Sequence, residues 1–347
     1  MLPRIMLAVR LKGLGGPEQL EVCEAAPLPV PAAGEVLLRV SAAAVNNTDI
    51  NTRIGWYSRS AQPEQDSAWT GTAFQFPRIQ GADACGYIVA VGNGVDTARL
   101  GERVLVDPVL RSRREGRETF GYLGADRDGA FAQYLCAPDR NAVAVRSELT
   151  DAELASFPCS YLAAENMLTR SGVSKGERVL VTGASGGVGS AALQLAARRG
   201  AQVIAISGAD KAARLPALGA SRVLRREDDL VARLGAESVD VVIDCVGGAQ
   251  FAQLLKVLRH GGRYAVAGAV AGAAVGLDLR TLYLKDLRLD GCTIPAPEVF
   301  ANLIGHIERG EIKPLVSATY ALRDIVGAQE QFLQRRHVGK IVLLPWG

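Results

Sequence analysis

Histidine is scarce in this sequence: His260, His306 and His337 are its three, all in the last third of 347 residues. None lies within helical reach of another His or of a Cys, so local metal-ligand spacing is missing. The six cysteines, Cys23, Cys85, Cys136, Cys159, Cys245 and Cys292, form no CxxC pair and no secreted-domain framework. They read as reduced thiols in small apolar sites. No apolar run approaches the roughly 20 residues of a membrane-spanning helix, and the first residues lack a long apolar core before a small-residue cleavage site. A cytoplasmic protein without membrane contact is therefore the default expectation. A dominant charge is missing too: the net charge of +3 is too mild to imply nucleic acid or a membrane surface as partner. One basic stretch, Arg111-Ser-Arg-Arg-Glu-Gly-Arg117, reads either as a solvated loop or as a patch that attracts acidic substrates.

What is present is enough chain for two domains, with 48% hydrophobic and 22% charged residues, the balance of a globular protein. Up to about residue 140, short apolar runs alternate with Gly and Pro turns. VLLRVSAAAV at 36–45, GYIVAVG at 86–92 and ERVLVDP at 102–108 predict strands of an antiparallel, barrel-like domain. Thr150-Asp-Ala-Glu153 is a capping box that opens a helical stretch to about Arg170, with a break at Pro158. Strands and helices then alternate: strands at 178–183, 201–207, 240–247 and 263–268, and helices at 187–200, 210–219 and 249–262. That alternation predicts a parallel, doubly wound sheet. KIVLLP near the end reads as one more strand.

The strongest motif is Val179-Leu-Val-Thr-Gly-Ala-Ser-Gly-Gly-Val-Gly189. A glycine turn that follows a buried strand and opens a helix sets backbone N–H groups and the helix N-terminus against a pyrophosphate. The spacing fits G-x-G-x-x-G over Ala184, Ser185, Gly186, Gly187, Val188 and Gly189. Gly186 lets phosphate approach, and Gly189 lets the helix pack against its strand. An NAD site carries an acid at the end of the second strand; here Ser207 stands there, with Lys211 and Arg226 following, and Arg222 and Arg225 nearby. A missing acid with cations at hand suits the 2′-phosphate of NADPH, unless Asp210 slides into the acid's role.

With these motifs, Val45-Asn-Asn-Thr-Asp49, Gly81-Ala-Asp-Ala-Cys-Gly86, Gly129-Ala-Phe-Ala-Gln-Tyr134, Leu282-Tyr-Leu-Lys-Asp-Leu287 and His337-Val-Gly-Lys-Ile341, the chain resembles the medium-chain dehydrogenase/reductase superfamily, and within it the zinc-free, quinone oxidoreductase-like branch. The resemblance implies a Rossmann domain (141–286) inserted in a GroES-like, β-rich catalytic domain (1–140 and 287–347). It implies cofactor contacts near Val246, Gly268 and Lys340, and homodimers or homotetramers joined through the Rossmann sheet edge at 288–293. Zinc-dependent relatives hold their metal with a Cys, a His and a second Cys or Asp. Those positions here are Asn46, Ala82 and Cys159, and one thiol does not make a three-ligand site. Cys159 is then a packing residue, and no metal is expected.

Without a Lewis acid to acidify an alcohol, reduction of an already polarised acceptor is the easier chemistry. The expectation is NADPH-dependent reduction of quinones or α,β-unsaturated carbonyl compounds, small molecules in either case. Asn46 and Asn47 are expected near the reacting carbonyl. Tyr57 lies where the similar enoyl thioester reductases carry a proton-assisting tyrosine, and reads either as that group or as a wall of the cleft. The stretch 58–80, with Trp69 and Phe74, reads as a lid or as a surface loop. A zinc-independent alcohol dehydrogenase and a non-catalytic NADPH-binding sensor are the alternatives.

Overall fold

The computed structural model describes residues 1–60, 62, 66–68 and 73–347. It divides into two compact units, Met1–Cys159 with Pro314–Gly347, and Ser160–Lys313. Among the described residues no helix is long and apolar enough to cross a membrane.

The first unit is organised by the strand Glu35–Ala44, whose burial pattern shows both faces largely covered. It pairs antiparallel with Asp83–Val91, with Tyr134–Pro138 and with Lys340–Leu344. The sheet continues through Arg103–Val106 to Ala142–Ala144 on one side and to Val316–Ala321 on the other. Its core gathers Val36, Leu38, Val40, Ile88, Val104, Phe131, Leu135, Ile341 and Leu343. The three strands expected from the apolar runs are all present, shifted by one to three residues. The basic stretch is neither loop nor irregular: Val109–Arg114 and Arg117–Tyr122 form a two-stranded hairpin. Glu115 and Gly116 both have positive φ, the requirement of a two-residue hairpin turn that matches strand twist. Arg111 is already paired with Asp107 at 3.3 Å.

The second unit carries the expected doubly wound sheet. Its strands lie in the order Ala220–Arg225, Gln202–Ser207, Arg178–Val181, Val239–Asp244, Leu258–Val266 and Arg288–Gly291, all parallel. In chain order this is 3-2-1-4-5-6, so the order reverses between the first and fourth strands, where such sheets open a binding crevice at their carboxyl ends.

Two helices differ from expectation. The segment after the second strand is not α-helical but two 3-10 pieces, Ala209–Arg214 and Pro216–Leu218. Pro216 has no N–H to give the Ala212 carbonyl, which takes the Leu215 N–H instead. Gly219, at φ 103°, stops the run. The helix expected to 262 ends at Val257, because the next strand begins at once: Leu258 pairs with Val239, and Arg259–Gly262 are taken up in a register shift.

The unit boundaries also fall later than 140 and 286. The capping-box helix Asp151–Leu154 belongs to the first unit, tied to strand Arg103–Val106 by the Arg103–Asp151 ion pair at 2.6 Å. Arg288–Gly291 completes the parallel sheet, and helix Glu298–Glu308 buries Val299, Phe300, Leu303, Ile304 and Ile307, so the return crossing waits until residue 314.

Candidate active site

In the second unit the glycine turn runs from the strand end at Val181 to the helix Gly187–Arg198, with Gly186 as N-cap. Ala184 and Ser185 are buried, and the Ala184 N–H bonds the Ile206 carbonyl at 3.1 Å, which ties the turn to the second strand. A Cβ on Gly189 would stand 2.2 Å from the Gly183 oxygen, so this glycine is demanded by helix–strand packing. A Cβ on Gly186 would meet only the Gly183 oxygen at 3.4 Å; the space beyond it is open for a ligand. The first-turn N–H groups of Gly187, Val188 and Gly189 have no acceptor inside the helix. They are the natural holders of a pyrophosphate.

The adjoining loops are set by Asp244, which is fully buried at the end of the fourth strand. Its carboxylate accepts the hydroxyls of Thr182 and Tyr264 and the N–H groups of Val246 (2.8 Å) and Gly247 (3.1 Å). Val246 is thereby brought against the glycine turn, its Cγ2 2.9 Å from where a Gly183 Cβ would be. Gly268 packs on the Cys245 backbone, where a Cβ would meet the carbonyl oxygen at 2.6 Å. Asp244 was not anticipated; an acid closing a buried strand just before a Cys-Val-Gly-Gly turn was its only signal.

At the end of the second strand Ser207 is buried, and its hydroxyl bonds the Gly208 carbonyl at 3.1 Å. Asp210 and Arg226 both reach Gly208, lying 2.8 Å and 3.9 Å from the position of its Cβ. Arg226 is exposed, whereas Lys211 is largely covered and Arg222 is spent on the Arg233 carbonyl. Arg226 is thus exposed and close to Gly208, and Arg225, opposite Ser207, is exposed as well.

In the first unit, pairing alone converges three polar residues. Ala44 is opposite Asp83 on one side and opposite Val342 on the other. Asn46, Asp83 and Lys340 therefore reach the same end of the sheet. Lys340 Nζ lies 2.8 Å from Asp83 Oδ2 and donates to Asn46 Oδ1, and Asn46 Nδ2 donates to Asp83 Oδ2 at 2.8 Å. The Asp83 and Lys340 side chains are 0% and 3% exposed, so this is a dry ion pair. The other Asp83 oxygen accepts the Cys159 N–H at 2.6 Å. Lys340, anticipated as a cofactor contact, turns its ammonium inward onto this network.

Around it stand the groups of the helix Asn47–Arg53 and its surroundings. Asp49 accepts the Asn46 N–H at 2.8 Å, and burial raises its carboxyl to about 7, against the pull of that bond and of Lys340. Asn47 is exposed at the helix start. Tyr57 bonds Thr48 Oγ1 at 3.2 Å, and burial raises its phenol. Cys159 receives the hydroxyl of Tyr122 at 3.2 Å, a residue not anticipated at the site because it arrives on the hairpin. Burial and then the Asp83 charge push the Cys159 thiol up to about 12. Phe74 packs on Leu11, Ala68 and Ala125; Trp69 lies outside the described residues.

The donor set does not fit a catalytic zinc. Of the three ligand positions, Asn46 is committed to a carboxylate and an ammonium, Ala82 offers no donor, and Cys159 is left as a single thiol, one donor where a catalytic zinc needs three. Among the described residues no group of three or more His, Cys, Asp or Glu could hold a metal. The positive charge at this spot is an ammonium.

The chain matches two family models, an alcohol dehydrogenase GroES-like domain over residues 32–147 and a zinc-binding dehydrogenase over residues 187–309. It is 31% identical to an acryloyl-coenzyme A reductase of Metallosphaera sedula, over 91% of this chain and 93% of that protein. It is 29% identical to a quinone oxidoreductase of Lama guanicoe, over 98% of each. A solved structure from Sinorhizobium meliloti, provisionally described as an alcohol dehydrogenase, superposes with a TM-score of 0.93 at 47% identity, over 99% of this chain and 97% of that one.

Two expectations test this geometry. Gly189→Ala should lower the melting temperature by several degrees, since overpacking against backbone costs about 1–3 kcal/mol. Gly186→Ala should melt like wild type and still lose dinucleotide affinity; calorimetry and fluorescence titration read the two effects, and equal melting of both variants refutes the division of roles. Lys340→Met strands a buried carboxylate and should cost about 3–5 kcal/mol in denaturant unfolding, whereas adding Asp83→Leu should restore part of it. A loss under about 1 kcal/mol for Lys340→Met would show that the pair is not dry.

Proposed function

Because the chain belongs to the medium-chain dehydrogenase/reductase superfamily of nicotinamide-dependent oxidoreductases, we propose that it is an NADPH-dependent, metal-independent reductase of quinones or α,β-unsaturated carbonyl compounds. The observation that carries this reading is the buried Asn46–Lys340–Asp83 network, which takes up both side-chain polar atoms of Asn46, one of the three positions at which the resemblance places a metal ligand. A buried ammonium already neutralised by a carboxylate does not acidify an alcohol as a Lewis acid does. Acceptors whose carbonyl is already conjugated need only hydrogen bonds to the developing enolate.

When bound, NADPH supplies the hydride. The N–H groups of Gly187, Val188 and Gly189 would hold its pyrophosphate, with Ala184, Ser185 and Gly186 shaping the approach. Ser207 leaves room beside the ribose, and Arg226, with Lys211 in support, would receive the 2′-phosphate. Val246 and Gly268 would line the remaining cofactor path. On the acceptor side Tyr57 donates from its phenol, and Asn46 and Asn47 bound the reacting carbonyl, Asn46 held rigid by its buried partners. The description of the Sinorhizobium relative supports a second reading, oxidation of simple alcohols with NADP⁺, which the same assays separate. A homodimer or homotetramer joined along the edge strand Arg288–Gly291 is part of the proposal, supported by exposed Leu279, Tyr283, Leu284 and Leu289 beside that edge.

NADPH should bind more tightly than NADH, and Arg226→Glu should reverse or erase the preference, because it replaces attraction for the phosphate by repulsion. Equal affinities for the two cofactors in the wild type at moderate salt would sink the assignment.

Tyr57→Phe should lower kcat/KM for an enone by about ten- to a hundredfold, with NADPH affinity unchanged, and quinones should suffer less. Chelators should leave turnover intact. Wild-type enone turnover in Tyr57→Phe would reduce the residue to a wall of the pocket.

A further inference from the structure

Two fully buried carboxylates organise this chain, and they differ in how their charge is met. Asp83 is neutralised by Lys340 at 2.8 Å. Asp244, 0% exposed, is held by neutral groups instead. Its Oδ1 accepts the Thr182 hydroxyl and the N–H groups of Val246 and Gly247. Its Oδ2 accepts the Tyr264 hydroxyl and, at 3.2 Å, the Gly247 N–H again. The Thr182 oxygen accepts the Cys245 N–H at 3.0 Å, which leaves its own proton for the carboxylate. Among the described residues no lysine, arginine or histidine pairs with Asp244. Hydrogen bonds of this kind stabilise a negative charge without cancelling it. Its field reaches the neighbours: after burial itself, the Asp244 charge raises both the Cys245 thiol and the Tyr264 phenol.

Asp244 ends the fourth strand, beyond the point where strand order reverses. Its donor Thr182 directly precedes Gly183 of the glycine turn, and the loop it holds packs on that turn through Val246. The same loop meets the one after the fifth strand, where a Cβ on Gly247 would stand 2.9 Å from the Gly272 oxygen. In a doubly wound sheet each half of the strands holds one mononucleotide across the crevice, and the end of the second strand takes the adenosine ribose. The half that begins with the fourth strand therefore belongs to the nicotinamide, whose ring is neutral when reduced and cationic when oxidised.

We propose that Asp244 tunes the bound cofactor through its charge, favouring the oxidised, cationic nicotinamide over the reduced, neutral one and so making the reduced cofactor a stronger hydride donor. This rests on the reading of the chain as a nicotinamide-dependent reductase. Hydride, a hydrogen with two electrons, leaves the ring and bonds to the β-carbon of the conjugated acceptor. The ring is left with a single positive charge, and the C=C electron pair moves to the carbonyl oxygen, whose anion takes a proton from solvent. The Asp244 charge is worth more once the ring is positive, so it pulls the transfer forward. At an effective dielectric of about 20, a buried unit charge felt over roughly 10–15 Å changes an equilibrium by about five- to twentyfold.

The test titrates NADP⁺ and NADPH separately, by calorimetry, into wild type, Asp244→Asn and Tyr264→Phe, and compares the ratio of the two dissociation constants. Asp244→Asn keeps the shape and removes the charge. Its ratio should move against NADP⁺ by about five- to twentyfold, which raises the potential of the bound couple by about 20–40 mV at roughly 30 mV per tenfold. Tyr264→Phe keeps the charge and removes one donor that screens it, so its ratio should move towards NADP⁺. A purely structural Asp244 would weaken both cofactors in equal proportion. That result, or a change under about twofold in Asp244→Asn, overturns the proposal. Should Asp244→Asn fail to fold, Tyr264→Phe decides alone, and a ratio that stays put or moves against NADP⁺ overturns it. A wild type that binds neither dinucleotide defeats the cofactor reading and this proposal with it. A wild type with the expected ratios that reduces no enone or quinone defeats only the reading of its acceptor.

Discussion

The buried ion pair between Lys340 and Asp83 is the constraint on which the catalytic unit depends. Two charges out of water cost several kcal/mol each unless both are paired and hydrogen-bonded. Here every oxygen of Asp83 has a donor, and the ammonium has two acceptors. Satisfying it requires the strand Lys340–Leu344, from the end of the chain, to lie beside Glu35–Ala44, and the helix beginning at Pro158 to present the Cys159 N–H. It also orients Asn46. The pair thus couples three distant stretches of sequence.

Asp244 has the corresponding place in the nucleotide-binding unit. One buried carboxylate gathers the loops after the first and fourth strands and the side chain of the fifth, across the point where strand order reverses. The glycine turn supplies close approach, but Asp244 keeps Val246 and Gly247 where the turn can use them. In both units a fully hydrogen-bonded buried acid, Asp83 or Asp244, fixes neighbouring polar groups and loops where apolar packing alone would not.

Much of this was legible in sequence because the signals are local. The capping box at Thr150–Glu153 forms as read, with reciprocal bonds of 2.8 Å and 3.3 Å. Gly189 is required by the contact its motif implies. The misread helices failed for local reasons too: Pro216 withholds a donor, and Leu258 finds a strand partner in Val239 before the helix can continue. The hairpin at 109–122 was hidden by its charge, since the arginine-rich strand Val109–Arg114 shows no apolar alternation.

By itself, then, the sequence determined the doubly wound sheet, the strand-rich first unit and the glycine turn that opens the helix Gly187–Arg198, all of which rest on periodicity or on motifs within a few residues. Only the tertiary structure decided what surrounds Asn46 and Cys159. Lys340 reaches Asp83 across more than 250 residues of chain, and Tyr122 reaches Cys159 from a hairpin. Such contacts are set by strand pairing, because a side chain's partner across a sheet is fixed by register, and register is not written in either strand alone.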